Sequence, residues 1–114
     1  MSVLLLSRSK NMFDRSEGKK NDEGKARWDL IDLDFVQEGV DVLTFGAEQY
    51  GENNWQEVEN AENRYFAALM RHIVAYRNGE TQDPDTGMSH LAHALCNLMF
   101  LRHFEKLNED GVVE

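Results

Sequence analysis

Acidic side chains at helical spacing form the first group of residues that could carry chemistry. Glu38, Asp41 and Glu48 fall within a stripe roughly 80° wide if their segment is helical, at about 100° per residue. Stacked carboxylates repel one another, and either water on a solvated face or a divalent cation in a cleft relieves that repulsion. Hard oxygen ligands of this kind suit Mg²⁺ or Mn²⁺. The stripe therefore indicates either a solvated face or a metal site.

Imidazole and amide side chains form the second group. By the same geometry His90, His93 and Asn97 lie within roughly 60° of one another, in a segment that is otherwise apolar. Polar groups in apolar surroundings need hydrogen-bonding partners. The pattern fits hydrogen bonds between helices, and it also fits contact with a metal or a phosphate.

Three loop acids, Glu80, Asp83 and Asp85, immediately precede the segment that carries these histidines. Carboxylates in front of a helix favour the positive end of its dipole. Alternatively, they add carboxylates beside His90.

Basic and aromatic residues could bind a nucleotide. Arg71 shares a helical stripe with small residues and lies next to His72, so its guanidinium could hold phosphate or pair with the chain's many acids. Trp28 and Trp55 flank the first predicted helix, where such rings either cover a core or stack on a base. Asn54, in the adjacent loop, could hydrogen-bond a base edge.

Three amphipathic helices are predicted to position these groups. Apolar residues recur at helical spacing over residues 34–50, 62–77 and 88–107. Asp34 and Gln37 have capping-box spacing at the first start, Gly51 ends that helix, and Ser89 is a candidate cap for the third. The sequence predicts an all-α fold, a small bundle of about three main helices.

Length and charge limit the remaining choices. The 114 residues suit a polar N-terminal arm over 1–24, one helical domain over 25–108 and a short acidic tail over 109–114. A formal net charge of -9 argues against a DNA or RNA partner.

No stretch is long and apolar enough to span a membrane, so we expect a cytoplasmic protein. Three amphipathic helices leave apolar faces that one chain cannot cover, which predicts a homo-oligomer, a dimer or tetramer.

Several short blocks together resemble a known family. They are Gly24–Leu30, Thr44–Gly51 followed by Asn54-Trp55, Arg71-His72 with Gly79-Glu80, and Thr86–Ala94 with Asn97. These blocks are similar to the phage-type dATP/dGTP diphosphohydrolase N-terminal domain family, the MazZ-like branch of the MazG superfamily. The resemblance implies an all-α oligomeric enzyme of a bacterial or phage-infected cell. It would use Mg²⁺ or Mn²⁺ to cleave a nucleoside triphosphate between its α and β phosphates.

The resemblance also implies roles for particular residues. The superfamily carries Glu-x-x-Glu on one helix and Glu-x-x-Asp on another as metal ligands. In this chain Glu38 and Asp41 correspond to the first pair, whereas His90 and His93 stand at the second, a departure from carboxylate to imidazole.

Two hypotheses follow. In the first, the chain is a pyrophosphohydrolase acting on purine deoxynucleoside triphosphates. Glu38, Asp41 and Glu48 would hold metal, and His90 or His93 would ligate metal or move a proton. The residues predicted to bind substrate are Lys25, Arg27, Trp28, Asn54, Trp55, Arg71, His72 and Asn97. In the second, the chain is a non-catalytic acidic interaction or inhibitor protein of phage or mobile-element origin, or a module that sequesters nucleotides.

Overall fold

The computed structural model describes residues 18–110, and the chain divides into two units after Ile31. Most of the predicted N-terminal arm and the end of the predicted acidic tail lie outside the described residues. Within the first unit, residues 28–30 form one turn of 3-10 helix. The Arg27 guanidinium next to it donates two hydrogen bonds to the Asp29 carboxylate, at 2.9 and 2.7 Å. This pair is exposed to solvent.

Three α-helices dominate the second unit, which also contains a turn of 3-10 helix (Asn54–Glu57) after the first of them, and they confirm the predicted all-α class. They are α1 (Leu33–Tyr50), α2 (Ala61–Arg77) and α3 (His90–Glu109). Among residues 18–110 the only β pairing is an isolated bridge between Gln82 and Ser89. The predicted ranges agree with these bounds to within two residues.

The start of α1 corrects one prediction. Asp34 is not the capping residue; Asp32 is, because its backbone is extended and its carboxylate accepts the N–H of Asp34 at 3.0 Å. Asp34 then lies in the first turn, where its negative charge favours the helix dipole. The other two predicted ends are confirmed: Gly51 closes α1 with φ +98°, and the Ser89 hydroxyl caps α3.

Helix α3 is the central element, because it packs against both α1 and α2. Its contact with α1 is close: the Cys96 thiol donates to the Gly39 carbonyl at 3.2 Å. A Cβ on Gly39 would come within 2.8 Å of the Leu95 side chain. Burial raises the pKa of the Cys96 thiol to about 11, so the thiol stays protonated and packs as a small apolar group.

Aromatic rings hold α2 and the loop after α1 against α3. The rings of Trp55 and Phe100 are stacked with centroids 4.6 Å apart, and Tyr65 packs against Phe100 at 4.7 Å. The Tyr65 hydroxyl also donates to the Trp55 carbonyl at 2.8 Å. This cluster fixes Trp55 against the second half of α3.

The core of the single chain is small. Ala92, Ala94 and Cys96 are its buried apolar residues on α3, and no large side chain in residues 18–110 is fully buried. Several large apolar side chains of the helices are instead exposed, among them Phe66 at 56% and Leu98 at 53%. None of the described helices has the length and apolar character needed to cross a membrane.

Candidate functional site

A folded loop brings acidic residues to the start of α3. After α2 the chain turns at Gly79, and the Asp83 N–H donates to the Met88 carbonyl at 2.8 Å. The Gly87 N–H donates to the Asp83 carbonyl at 2.7 Å, and the His90 N–H donates to the Thr81 carbonyl at 3.0 Å. These bonds fix the position of Asp83 relative to His90. Gly87 has φ +74°, a conformation that favours glycine.

His90 is the most buried residue of the cluster, with a side chain that is 5% exposed. Its Nε2 lies 2.8 Å from Glu80 Oε1. Because a carboxylate accepts hydrogen bonds, we assign a proton to Nε2, which leaves a lone pair on Nδ1. His90 Nδ1 lies 2.9 Å from His72 Nδ1, and His72 is therefore assigned as the donor. The result is a chain of hydrogen bonds from His72 through His90 to Glu80.

His72 is held neutral at ordinary pH. Burial is the main cause that lowers its pKa to about 4, and the neighbouring His93 contributes more to this lowering than the Asp83 carboxylate opposes it. Asp83 Oδ2 is 3.8 Å from His72 Nδ1. A neutral imidazole is the form that binds a metal or accepts a proton.

His93 completes the group of three imidazoles. Its ring is stacked on that of His72, with centroids 4.5 Å apart and planes 5° from parallel. Its Nε2 lies 2.8 Å from the Thr86 hydroxyl, and burial lowers its pKa. The Asn97 side chain donates to the His93 carbonyl within α3 at 2.9 Å, so this amide nitrogen supports the helix.

Asp83 presents one oxygen to the cluster. Its Oδ1 accepts the Asp85 N–H at 2.7 Å, which leaves Oδ2 directed toward His72. Burial alone would raise the pKa of Asp83, but the N–H groups of Asp85 and Thr86, together with the neighbouring histidines, lower it overall. Asp83 is therefore an ionised carboxylate next to neutral imidazoles.

One group of side chains is arranged to hold a metal ion. His72, Asp83 and His90 each offer one ligand atom, and these atoms all lie within 4.8 Å of one another. No other group of three histidine, cysteine or acidic residues in the described part of the chain meets that condition. The sequence left two interpretations open for Glu80 and Asp83, as charges in front of the helix or as carboxylates beside His90, and the structure places both near histidines of the cluster. Thr86 was expected only as part of a sequence block. The sequence feature that points to Glu80 and Asp83 as site residues is the run of acids immediately before a helix that starts with histidine.

The predicted acidic stripe on α1 is not part of this ligand group. Glu38, Asp41 and Glu48 are exposed on α1, and Asp41 Oδ1 accepts a hydrogen bond from Gln37 Nε2 at 3.0 Å. Between residues 18 and 110 these acids do not join a three-residue ligand group. Their role as metal ligands, and that of His93, stays a prediction.

The predicted nucleotide-binding residues are spread over several elements. Asn54 is exposed in the loop after α1, and Arg71 is exposed on α2 beside His72. Lys25, Arg27 and Trp28 belong to the N-terminal unit. Their contact with substrate stays a prediction.

Trp55 packs against the second half of α3, far along that helix from His90 and His93. It borders an open cavity of about 490 Å³ that Met99, His103 and Lys106 also line. His103 is 13 residues beyond His90, or about 20 Å at 1.5 Å per residue. A ligand that touched both places would have to extend along that length of the helix. The titratable cluster, rather than this cavity, is therefore the candidate reaction site.

The comparisons with known proteins confirm the family that the sequence blocks resemble. Residues 15–111 match the family described as "dATP/dGTP diphosphohydrolase, N-terminal". The chain belongs to this family. A dATP/dGTP diphosphohydrolase of Salmonella phage PMBT28 is 39% identical over 84 residues, which cover 74% of this chain and 28% of the phage protein. The chain thus matches little more than a quarter of that relative's length. No solved structure matches the chain significantly.

Proposed function

We propose that the chain is a metal-dependent diphosphohydrolase that cleaves purine deoxynucleoside triphosphates between the α and β phosphates. The products would be a deoxynucleoside monophosphate and pyrophosphate. The family and the name of the phage relative support the substrate class. Within the structure, the observation that carries the proposal is the convergence of His72, Asp83 and His90 at the start of α3.

This cluster has the chemistry that the reaction needs. Hydrolysis of a triphosphate requires neutralisation of phosphate charge and removal of a proton from the attacking water. A divalent cation supplies the first and assists the second when it is bound. Imidazoles and an ionised carboxylate that point at one spot fit such a cation, whereas the exposed acids of α1 do not converge in the single chain.

The chain's own residues would divide the remaining tasks. His93 is a candidate proton acceptor, because its lowered pKa keeps the imidazole neutral at pH 7. Arg71, on the helix that carries His72, would contact the phosphates. Trp28 is the better candidate for stacking on the base, because Trp55 already stacks on Phe100. Lys25, in the N-terminal unit, stays a predicted substrate-binding residue.

The test is product analysis with the purified full chain. The protein is incubated separately with dATP, dGTP, dCTP and dTTP in Mg²⁺ or Mn²⁺, and monophosphate, diphosphate, pyrophosphate and phosphate are separated by ion-exchange chromatography. We expect dAMP or dGMP and pyrophosphate in equal amounts, with slower turnover of the pyrimidine substrates. Release of phosphate and a deoxynucleoside diphosphate would mean cleavage between the β and γ phosphates, which contradicts the proposal.

The same experiment separates the alternative hypotheses when nucleotide binding is measured alongside. Tight binding without products would favour the sequestering module. Neither binding nor products with any nucleotide would favour the interaction protein. A Glu109→Gln variant is the control, since it changes one acid at the end of α3 that pairs only with exposed Arg102 among the described residues.

A further inference from the structure

We propose that His72, Asp83 and His90 form a binding site for a divalent transition-metal ion, of the class that includes Mn²⁺, Fe²⁺, Co²⁺, Ni²⁺ and Zn²⁺. The acidic stripe on α1 supplies none of these three ligands. The proposal does not depend on the hydrolytic function, because it concerns binding of the metal alone.

The spacing of the ligand atoms fits a metal ion. With metal–ligand distances of about 2.1 Å, two ligands at 90° are about 3.0 Å apart, two at the tetrahedral angle about 3.4 Å, and two on opposite sides about 4.2 Å. The Nδ1 atoms of His72 and His90 are 2.9 Å apart, which matches an adjacent pair in octahedral geometry. Asp83 Oδ2 lies 3.8 Å from His72 Nδ1, within the range of a third ligand.

Glu80 supports His90 in the way that metal-binding histidines are usually supported. A ligand histidine commonly donates its second N–H to a carboxylate, which fixes the tautomer and the ring orientation. His90 Nε2 makes that bond to Glu80 Oε1 at 2.8 Å, so the lone pair of Nδ1 faces His72. Hydrogen bonding inside the cluster thus prepares the nitrogen that a metal needs.

His72 can become a ligand without losing a net proton. In the metal-free arrangement its Nδ1 carries the proton that is donated to His90. A metal between the two nitrogens would require His72 to adopt the other neutral tautomer, with the proton on Nε2.

The donor set selects the class of metal. Imidazole suits Mn²⁺ and the later transition ions, whereas Mg²⁺ prefers oxygen ligands and retains its water. Two histidines and one carboxylate leave coordination positions open for water or a phosphate oxygen. His72 and Asp83 have side chains that are 17% and 16% exposed, so the cluster is reachable from solvent.

The experiment uses Co²⁺ as the probe, without nucleotide. The full chain is treated with chelator, dialysed and titrated with Co²⁺ at pH 7.5, and the visible absorption of the ion and the heat of binding are recorded. We expect one site per chain. Asp83→Asn keeps the oxygen that accepts the Asp85 N–H but removes the charge, and it should weaken Co²⁺ binding by about 10-fold or more.

Two further variants keep the result independent of folding. Glu80→Gln should weaken Co²⁺ binding by about 10- to 100-fold through its effect on His90. His72→Gln should abolish the absorption band, and far-ultraviolet circular dichroism checks that each variant is folded. Glu105→Gln and Glu109→Gln are matched acidic controls on α3, because among the described residues both acids pair only with exposed Arg102, and they should bind Co²⁺ as the parent does.

The outcomes separate this proposal from the enzymatic one. Equal loss of Co²⁺ binding in the α3 controls, or equal binding in folded parent, Asp83→Asn and His72→Gln proteins, would overturn the site. A chain that binds Co²⁺ at the predicted residues but turns over no nucleotide would keep the site and reject the proposed activity. Turnover of nucleotide with Mg²⁺ in a protein that does not bind Co²⁺ would keep the proposed activity and reject the metal site.

Discussion

The Nδ1 atoms of His72 and His90 lie 2.9 Å apart, although the two residues are 18 positions apart and belong to different helices. One of these nitrogens must donate and the other accept, so the protonation of the two rings is coupled. Asp83 and His93 also border His72. The behaviour of the whole cluster therefore depends on keeping its imidazoles neutral.

Acid should destabilise the metal-free protein through these imidazoles. The folded-state pKa of His72 is about 4 and that of His93 is also lowered, against an ordinary value of 6.5. Below pH 6.5 the unfolded chain binds more protons than the folded chain, so this contribution to stability is complete above pH 6.5 and is lost as the pH falls toward 4. The slope is at most about 1.4 kcal/mol per pH unit for each proton.

Urea unfolding of the chelator-treated chain at pH 7.5, 6.5, 5.5 and 4.5 measures this loss. His72→Gln should show a shallower decline below pH 6.5 than the parent, because one of the neutral imidazoles is gone. Parallel curves for parent and variant would mean that His72 titrates normally in the folded state.

Two glycines of α1 provide a matched test of the packing between α1 and α3. Gly39→Ala would place a Cβ 2.8 Å from Leu95 Cδ2, whereas nothing described lies within 4 Å of a Cβ on Gly46. Alanine favours a helix over glycine by about 1 kcal/mol, so Gly46→Ala should stabilise the chain. Overpacking costs about 1–3 kcal/mol, so Gly39→Ala should be less stable than Gly46→Ala by about that amount.

Equilibrium unfolding in urea at one protein concentration gives the comparison. We expect the order Gly46→Ala, parent, Gly39→Ala, from most to least stable. If both variants were stabilised equally, Leu95 would have room to rotate, and the close contact between the helices would not limit the residue at position 39.

The helices were predictable because their signal is local. Apolar periodicity, Gly51 and Ser89 gave the bounds within two residues, since periodicity and end signals act within a few positions. The predicted cap of α1 was wrong. Asp34 and Gln37 have the spacing of a capping box, but the extended backbone that makes Asp32 the cap is a feature of the folded chain.

The candidate site was only partly predictable, because it depends on contacts between elements. The sequence placed His90 and His93 on one helical face, as the structure does, but it gave no register between α2 and α3. That register brings His72 to His90. Asp83 joins them only because the loop folds back through its bonds to Met88 and Gly87.

A homo-oligomer remains the expected state of the chain. Phe66, Met70 and Val74 lie on α2 with 56%, 40% and 50% of their surface exposed. Exposed apolar area of this kind is usually covered by another surface. Light scattering at micromolar concentration should give at least twice the 13.2 kDa mass of one chain.

Phe66→Ser should shift that mass toward the single chain, because it removes the largest of these three side chains. Lys106→Ser, an exposed residue of α3, is the control and should leave the mass unchanged. A parent protein of 13.2 kDa across the concentration range would reject the oligomer.

The acidic stripe on α1 should matter for turnover and not for folding. Glu38 is exposed, and its side chain makes no hydrogen bond or ion pair with any other residue in the range 18–110. Glu38→Gln keeps the size of the side chain and removes one negative charge, so the free energy of unfolding should change by less than about 0.5 kcal/mol. If Glu38 holds metal as the family resemblance implies, metal-dependent release of pyrophosphate should fall by at least about 100-fold, a transition-state effect of about 2.7 kcal/mol. Glu109→Gln is the matched control on α3 and should retain the parent rate. A Glu38→Gln protein that hydrolyses dATP at the parent rate would make the stripe a solvated face and leave His72, Asp83 and His90 as the remaining candidate ligands.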